Sequence, residues 1–160
     1  MKRLALTYIL CSLLSAPAIA RETALGSKSQ SFILATGHKI VVKHKTIIIY
    51  SKNGNELVRN TKIIRGSDET KSCPSDGFLG IAKKGLYFTV EQSNCGGWNL
   101  IVEYITFRYS KNDNKFYLHK LGLSYLDRRA PNKKTKDIVY SRHYFGLVNF
   151  SKVSTGMLYR

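Results

Sequence analysis

The chain has 160 residues, with 26 Lys or Arg against 10 Asp or Glu, so its formal net charge is +16 at pH 7. This length predicts one domain with a real core and excludes a fold held up by disulfides alone. The charge favours polyanions as partners, such as nucleic acid, anionic lipid or lipopolysaccharide, acidic cell-wall polymers, or an acidic protein.

The N-terminus has the pattern of a secretory signal peptide. Lys2 and Arg3 precede the apolar stretch "LALTYILCSLL" (residues 4–14), and the small-x-small sequence Ala18-Ile19-Ala20 precedes Arg21. A membrane anchor is the alternative, but the apolar run is shorter than the roughly twenty residues that a bilayer needs. We therefore predict that residues 1–20 are a cleaved signal peptide and that the protein is periplasmic or secreted.

The chain after residue 20 is expected to form a single domain. Cleavage removes two positive charges and leaves a net charge of +14. Residues 21–30, "RETALGSKSQ", are small and polar and predict a flexible lead-in. Residues 31–160 are predicted to form one β domain, and no segment in them is apolar and long enough to cross a membrane.

Strand patterns begin at once in this domain. The short apolar run "SFILA" is followed by "HKIVVKHKTIIIYS" (residues 38–51), whose β-branched residues predict one long strand or two. Asn53-Gly54 is a tight-turn pair, so "ELVRNTKIIRG" is predicted to return as the partner strand.

The second half continues the pattern after a polar loop at residues 67–77. The segment "FLGIAKKGLYFTVEQ" predicts a hairpin that turns at Lys83-Lys84-Gly85, with regular alternation in its second strand. The segments "LIVEYITFRYS" and "KFYLHKLGLSYL" flank the turn "KNDN" and predict another hairpin.

The C-terminal region carries the weakest pattern. "FGLVNFSKV" (residues 145–153) predicts a last strand, whereas "DIVYSRHYF" (residues 137–145) predicts at most a turn or two of helix. Together the segments predict an all-β fold, an antiparallel meander of roughly six to nine strands that forms a small sandwich or a strongly curved sheet.

Two cysteines, Cys73 and Cys95, follow the predicted signal peptide, and Cys11 lies within it. An even pair in an exported protein predicts a disulfide, and chain entropy assigns about 3 kcal/mol to a loop of this length. A redox pair or a pair of metal ligands is disfavoured because the sequence has no Cys-x-x-Cys and no neighbouring His at ligand spacing.

The pair Gly96-Gly97 after Cys95 predicts a tight reversal that carries Trp98, the only tryptophan. Trp98 either packs on the core or is an exposed anchor for a partner. "DRRAPNKKTK" (residues 127–136) is the one cluster of basic residues and predicts a loop. The predicted contact surface for a partner comprises Trp98, Arg128, Arg129, Lys133 and Lys134.

A catalytic interpretation rests on the histidines. A ribonuclease-like phosphodiesterase would pair His38 or His44 with His119 for proton transfer, and Lys120 would stabilise the phosphorane. If its strand is regular, however, His119 and Lys120 point to opposite faces. We expect structural or solvated roles for these histidines and predict no metal and no cofactor.

Carboxylates are few, and each is expected to pair with the abundant cations rather than to act in acid–base chemistry. These residues are Asp76, Glu91, Glu103 and Asp127. The favoured function is therefore an exported non-enzymatic binding protein, such as an inhibitor or immunity-type protein against a toxin or wall hydrolase. The alternatives are a binder of an anionic polymer or lipopolysaccharide and a secreted ribonuclease-like enzyme.

Overall fold

A computed structural model describes residues 29–66, 73, 77–133 and 136–159. The predicted signal peptide, most of the predicted lead-in, Asp76 and Lys134 lie outside these described residues. Within the described ranges, no helix has the length and apolar character that a membrane crossing requires.

The first half of the domain forms a four-stranded antiparallel sheet in chain order. Its strands are β1 (Gln30–Ile33), β2 (Lys39–Lys43), β3 (Thr46–Tyr50) and β4 (Glu56–Asn60). The β-branched segment is two strands because the chain reverses at His44, whose φ is +53°. The predicted turn at Asn53-Gly54 is present between β3 and β4, and Gly54 supplies the positive φ of 82° that this turn requires.

The second half forms a five-stranded antiparallel sheet, again in chain order. Its strands are β5 (Gly77–Lys84), β6 (Tyr87–Gly96), β7 (Asn99–Ser110), β8 (Lys115–Asp127) and β9 (Lys136–Ser141). The hairpin predicted to turn at Lys83-Lys84-Gly85 is present, but both lysines belong to β5 and the turn lies at residues 85–86; the hairpin predicted at residues 111–114 is also present. Within each sheet every strand pairs with its sequence neighbour, so the predicted meander is confirmed as two successive sheets.

The two sheets pack face to face around one core, which confirms the all-β fold and identifies it as a sandwich. Alternation along each strand directs one set of apolar side chains inward. The four-stranded sheet contributes Ile40 and Ile49, and the five-stranded sheet contributes Phe88 and Phe107, all of them fully buried. The rings of Phe88 and Phe107 stack with centroids 5.0 Å apart.

The C-terminal segment agrees with the prediction only in the single helical turn at Arg142–Phe145. Residues 136–141 form strand β9, and residues 145–153 do not form a strand. Instead the chain passes through the one-turn helix α1 (Arg142–Phe145), a 3₁₀ turn (Phe150–Lys152) and the one-turn helix α2 (Thr155–Leu158). Phe150 and Val153, three residues apart, are both fully buried, which is the spacing of a 3₁₀ turn rather than of a strand.

This C-terminal segment connects the two sheets. The amide of Leu118 in β8 donates to the carbonyl of Val148 at 2.9 Å. On the other sheet, the buried side-chain amide of Asn60 donates to the carbonyls of Phe150 and Val153. One edge of the sandwich is therefore closed by hydrogen bonds to the segment as well as by the Phe150 ring.

Candidate functional site

The predicted disulfide is present. Cys73 and Cys95 are bonded with their Cα atoms 5.6 Å apart and are separated by 22 positions in the sequence. Cys95 lies one residue before the end of β6, so the bond ties the chain before β5 to the end of this long strand. The end of β6, and with it the start of the following turn, is covalently held.

Trp98 lies at the tip of that turn and is 61% exposed. Gly97, which precedes it, has a φ of +57°, a backbone conformation that glycine adopts without strain. Of the two interpretations of Trp98, the structure therefore shows the exposed one. Its ring lies at the end of the five-stranded sheet and outside the sandwich core.

The predicted basic loop lies beside Trp98 because β8 runs antiparallel to β7, so that Asp127 pairs with Asn99. The Arg128 amide donates to the Trp98 carbonyl at 3.0 Å, and its guanidinium donates to the Gly97 carbonyl at 3.0 Å. Arg128 is thus held against the turn that carries Trp98, although the two residues are thirty positions apart in the sequence.

Arg129 completes this arrangement. Its Cζ atom lies 5.8 Å from the centroid of the Trp98 ring, in a cation–π geometry. It also binds the Asp127 carboxylate at 2.9 Å through Nη2. Hydrogen bonds from the Arg129 side chain and backbone lower the pKa of Asp127 to about 2, so this carboxylate stays ionised.

We refer to Gly97, Trp98, Arg128, Arg129 and Lys133 as the Trp98 corner. Lys133 is exposed and lines a shallow depression of about 440 Å³ between the loop and β9. Lys134, the remaining predicted contact residue, lies outside the described residues.

A buried polar cluster, which the sequence did not predict, lies farther along β6 and β7. Glu103 is fully buried and accepts hydrogen bonds from the side-chain amides of Gln92, at 2.8 Å, and Asn94. Arg65 Nε lies 2.9 Å from a Glu103 oxygen and forms an ion pair with it. Glu103 was expected to pair with a cation and does so, but its complete burial was not foreseen.

The expected pairing of the other carboxylates is seen in part. Asp127 pairs with Arg129, as described above. Glu91 forms no ion pair within the part of the chain that the structure describes, and Asp76 lies outside that part.

A second polar region occupies the outer face of the five-stranded sheet at its other end. Tyr87, Arg108 and Tyr117 are partners across β6, β7 and β8. The His119 ring lies 5.0 Å from the Tyr87 ring, and the Arg108 Cζ atom lies 5.8 Å from it. Arg108, Tyr117 and His119, together with Arg142 at the start of α1, line an open groove of about 680 Å³, which we call the His119 groove.

Strand β8 is not regular where it passes this groove. The pairing with β7 shifts between Thr106 and Phe107, so Lys120 lies opposite Thr106 while Leu118 lies opposite Phe107. His119 is therefore the extra residue of a β-bulge, which reverses the alternation. The prediction that His119 and Lys120 point to opposite faces fails because it assumed a regular strand.

The described residues do not assemble the two-histidine arrangement of a ribonuclease. His38 is buried under the sheet, with its ring 5.4 Å from that of the inward-facing Phe116, whereas His119 lies on the outer face. His44 is exposed at the turn between β2 and β3. The predicted trio of His38 or His44 with His119 and Lys120 is not brought to one site.

Comparison with known proteins identifies no relative of this chain. It matches no protein-family model, and no curated protein and no solved structure is significantly similar to it.

Proposed function

We propose that this chain is an exported, non-enzymatic binding protein whose Trp98 corner contacts an acidic surface of another protein. In this proposal the chain acts as an inhibitor or immunity-type protein, and its partner is a toxin or a wall hydrolase. The observation that supports it most is an exposed tryptophan on a turn whose surroundings are restrained on both sides.

Restraint matters because ordering a flexible surface on binding costs free energy. The disulfide at Cys95 holds one side of the turn, and the hydrogen bonds of Arg128 to the carbonyls of Gly97 and Trp98 hold the other. A tryptophan presented in advance in this way is a typical interface hot spot.

The charge of the corner supports an acidic partner. Arg128, Arg129 and Lys133 are exposed, and Asp127 neutralises only Arg129 through a direct ion pair. The corner therefore keeps an excess of positive charge, which favours encounter with a negatively charged surface and repels a basic one.

Affinity capture from a periplasmic extract tests the proposal. We expect wild-type protein to retain an acidic protein that Trp98→Ala loses, since truncation of a hot-spot tryptophan costs about 2 kcal/mol or more. Tyr144→Ala is the matched control, because Tyr144 is 60% exposed but lies at α1, away from the corner.

Charge reversal provides the second arm. Arg128→Glu with Arg129→Glu is expected to abolish capture, whereas Lys39→Glu with Lys43→Glu on the other sheet preserves it. The proposal would be wrong if the wild-type protein captured no partner. It would also be wrong if neither pair of charge-reversal substitutions changed the amount captured. If the protein instead retains polyanions, with an affinity that falls steeply with salt and is the same in Trp98→Ala, the ligand would be an anionic polymer.

A further inference from the structure

The His119 groove is separate from the Trp98 corner. The corner is at the turn between β6 and β7, and the groove is at the opposite end of the same strands, beside the turn between β7 and β8. Its charged and polar lining includes Arg108, Lys111, Asp113, Tyr117, His119 and Arg142.

We propose that the His119 groove binds an oxyanion of the phosphate or sulfate class. The inference does not depend on the Trp98 corner or on the identity of a protein partner. It rests on the cations that line the groove, on the position of His119 on the outer face at the bulge, and on one ring that contacts two of the side chains.

The first support is the set of unpaired guanidinium groups. Among the described residues, Arg59, Arg65 and Arg129 each pair with a carboxylate, whereas Arg108, Arg128 and Arg142 form no ion pair, and two of these three, Arg108 and Arg142, line the groove. A guanidinium presents planar, paired N–H donors that match the oxygens of phosphate or sulfate. Two such groups at one concavity favour an oxyanion over other ligands.

The second support is preorganisation. The Tyr87 ring contacts the His119 ring on the outer face and lies under the Arg108 guanidinium, so one rigid aromatic side chain orients both. His119 follows the inward-facing Leu118 and lies on the outer face next to these groups, at the bulge in β8. Bulges commonly redirect side chains at functional sites, and a groove held in this way loses little entropy when an anion enters.

The protonation of His119 responds to the same surroundings. Partial burial, followed by the nearby charges of Lys120, Arg108 and Arg142, lowers the pKa of His119. The free groove therefore holds a neutral imidazole at neutral pH. A bound anion offsets those positive charges and favours the protonated ring, so anion affinity is expected to rise as the pH falls.

Asp113 is expected to disfavour anion binding, so removing its charge should have the opposite effect to removing an arginine. Hydrogen bonds from Tyr117 and Ser110 lower the pKa of Asp113, so this carboxylate is ionised beside the groove. Its negative charge repels an anion. Asp113→Asn removes the charge with little change of shape and is expected to tighten binding.

Sulfate titration of the full chain at low ionic strength, followed by amide chemical shifts, tests the proposal. Sulfate keeps its charge over the range in which imidazole titrates, so a pH effect reports on the protein. We expect Arg108→Ala and Arg142→Ala each to weaken binding by about tenfold or more, the usual effect of removing a charged hydrogen-bond partner. His119→Gln should abolish the tightening at low pH.

The control removes the same kind of charge elsewhere. Lys39→Ala with Lys43→Ala on β2 should weaken sulfate binding far less than either arginine variant, because neither lysine lines the groove and both act on the anion only through long-range charge. Trp98→Ala should have no effect. Equal weakening by the lysine pair and the arginine variants, or no sulfate binding to wild-type protein, would overturn the proposal.

Phosphatidylglycerol vesicles then distinguish the source of the oxyanion. Co-sedimentation that depends on Arg108 and Arg142 identifies a lipid headgroup as the ligand. Sulfate binding without co-sedimentation identifies a free anion. Either result supports the groove.

Discussion

The carboxylate of Glu103 lies among the fully buried side chains of β7, and its hydrogen-bond and ion-pair partners offset the cost of burying its charge. It lies on the same face as Ile105 and Phe107, where an unpaired charge would be costly. Gln92 and Arg65 supply a hydrogen bond and a counter-charge. The sequence predicted a cation partner for Glu103, but alternation alone could not name it, because Arg65 comes from a distant segment.

We predict that Glu103→Ala lowers the free energy of unfolding by about 2 kcal/mol, since it leaves the Arg65 guanidinium, whose side chain is 30% exposed, without its counter-charge. The Gln92 amide would also lose its acceptor. Glu91→Ala is the matched control. Glu91 lies on the same sheet but on the outer face and forms no described ion pair, so a change within about 0.5 kcal/mol is expected. Urea unfolding measures both, and equal losses would contradict the assigned role of Glu103.

His38 makes stability depend on pH. It is 4% exposed and packs on Tyr109 and Phe116, and this burial lowers its pKa below the ordinary value of 6.5. In the unfolded chain the imidazole binds a proton near its ordinary pKa, whereas in the folded chain it stays neutral until a lower pH. The contribution of the neutral His38 ring to stability is therefore fully present above pH 6.5. It is lost as the pH falls through 6.5 toward the pKa of the folded state.

Urea midpoints on either side of this window test the effect. His38→Gln should flatten the slope of stability against pH, whatever its effect on absolute stability. The lowered pKa of His119 adds a slope of the same sign, so flattening is expected to be incomplete. His44→Asn is the control at an exposed position with positive φ, which Asn tolerates. A slope that is unchanged in His38→Gln would contradict this prediction.

At the scale of elements, local patterns predicted those strands whose turns carry a sequence signature. Asn53-Gly54 and the turn after Lys84 fixed two hairpins, because short turns determine which strands pair. The pattern failed in the C-terminal region. Phe150 and Val153 are apolar because they fill the space between two sheets, and a contact between distant segments leaves no periodic mark in the sequence.

The β-bulge at His119 was missed for a related reason. A single extra residue reverses the alternation midway along β8, so that Leu118 and Leu121 both face the core. No glycine or proline marks the position in the sequence. The His119 groove could therefore not be predicted, because its geometry depends on this irregularity and on Arg142 from a later element.

The connection of the C-terminal segment to β4 gives an element-scale prediction. Asn60 is 4% exposed and donates to the carbonyls of Phe150 and Val153, the latter at 2.9 Å. Asn60→Ala leaves both buried carbonyls without this donor and is expected to cost about 1–3 kcal/mol. Asn53→Ala, in the exposed turn between β3 and β4, is the comparison for loss of an exposed asparagine side chain.

Hydrogen exchange locates the effect of Asn60→Ala. Amides of the segment from Phe150 to Leu158, such as that of Thr155, which donates to the Lys62 carbonyl at 3.0 Å, should lose protection before the central strands do. Uniform loss of protection over both sheets would contradict the local role of Asn60.

At the scale of the whole molecule, composition and strand count predicted a small β sandwich, and two antiparallel meanders packed face to face realise it. The sequence did not predict that the strands divide into one sheet of four and one sheet of five. This division depends on the break between β4 and β5, where the chain moves from one sheet to the other and Cys73 is bonded to Cys95.

The disulfide provides the last prediction, since it ties Cys73, within this connection, to the end of β6. Cys73→Ser with Cys95→Ser should lower the free energy of unfolding by about 3 kcal/mol, because the unfolded chain regains the entropy of an open loop. Both sheets share one continuous core that does not depend on the bond, so the double variant should remain folded with a β-type circular dichroism spectrum.

Two readouts separate this effect from damage at Trp98. Thermal unfolding of wild-type protein with and without reductant should reproduce the difference between wild type and the double variant, and the double variant should not respond to reductant. Tryptophan fluorescence should remain that of an exposed indole, because Trp98 is already 61% exposed with the bond intact. A double variant as stable as the oxidised protein would mean that the bond does not constrain the unfolded chain, and the restraint assigned to the Trp98 corner would then rest on Arg128 alone.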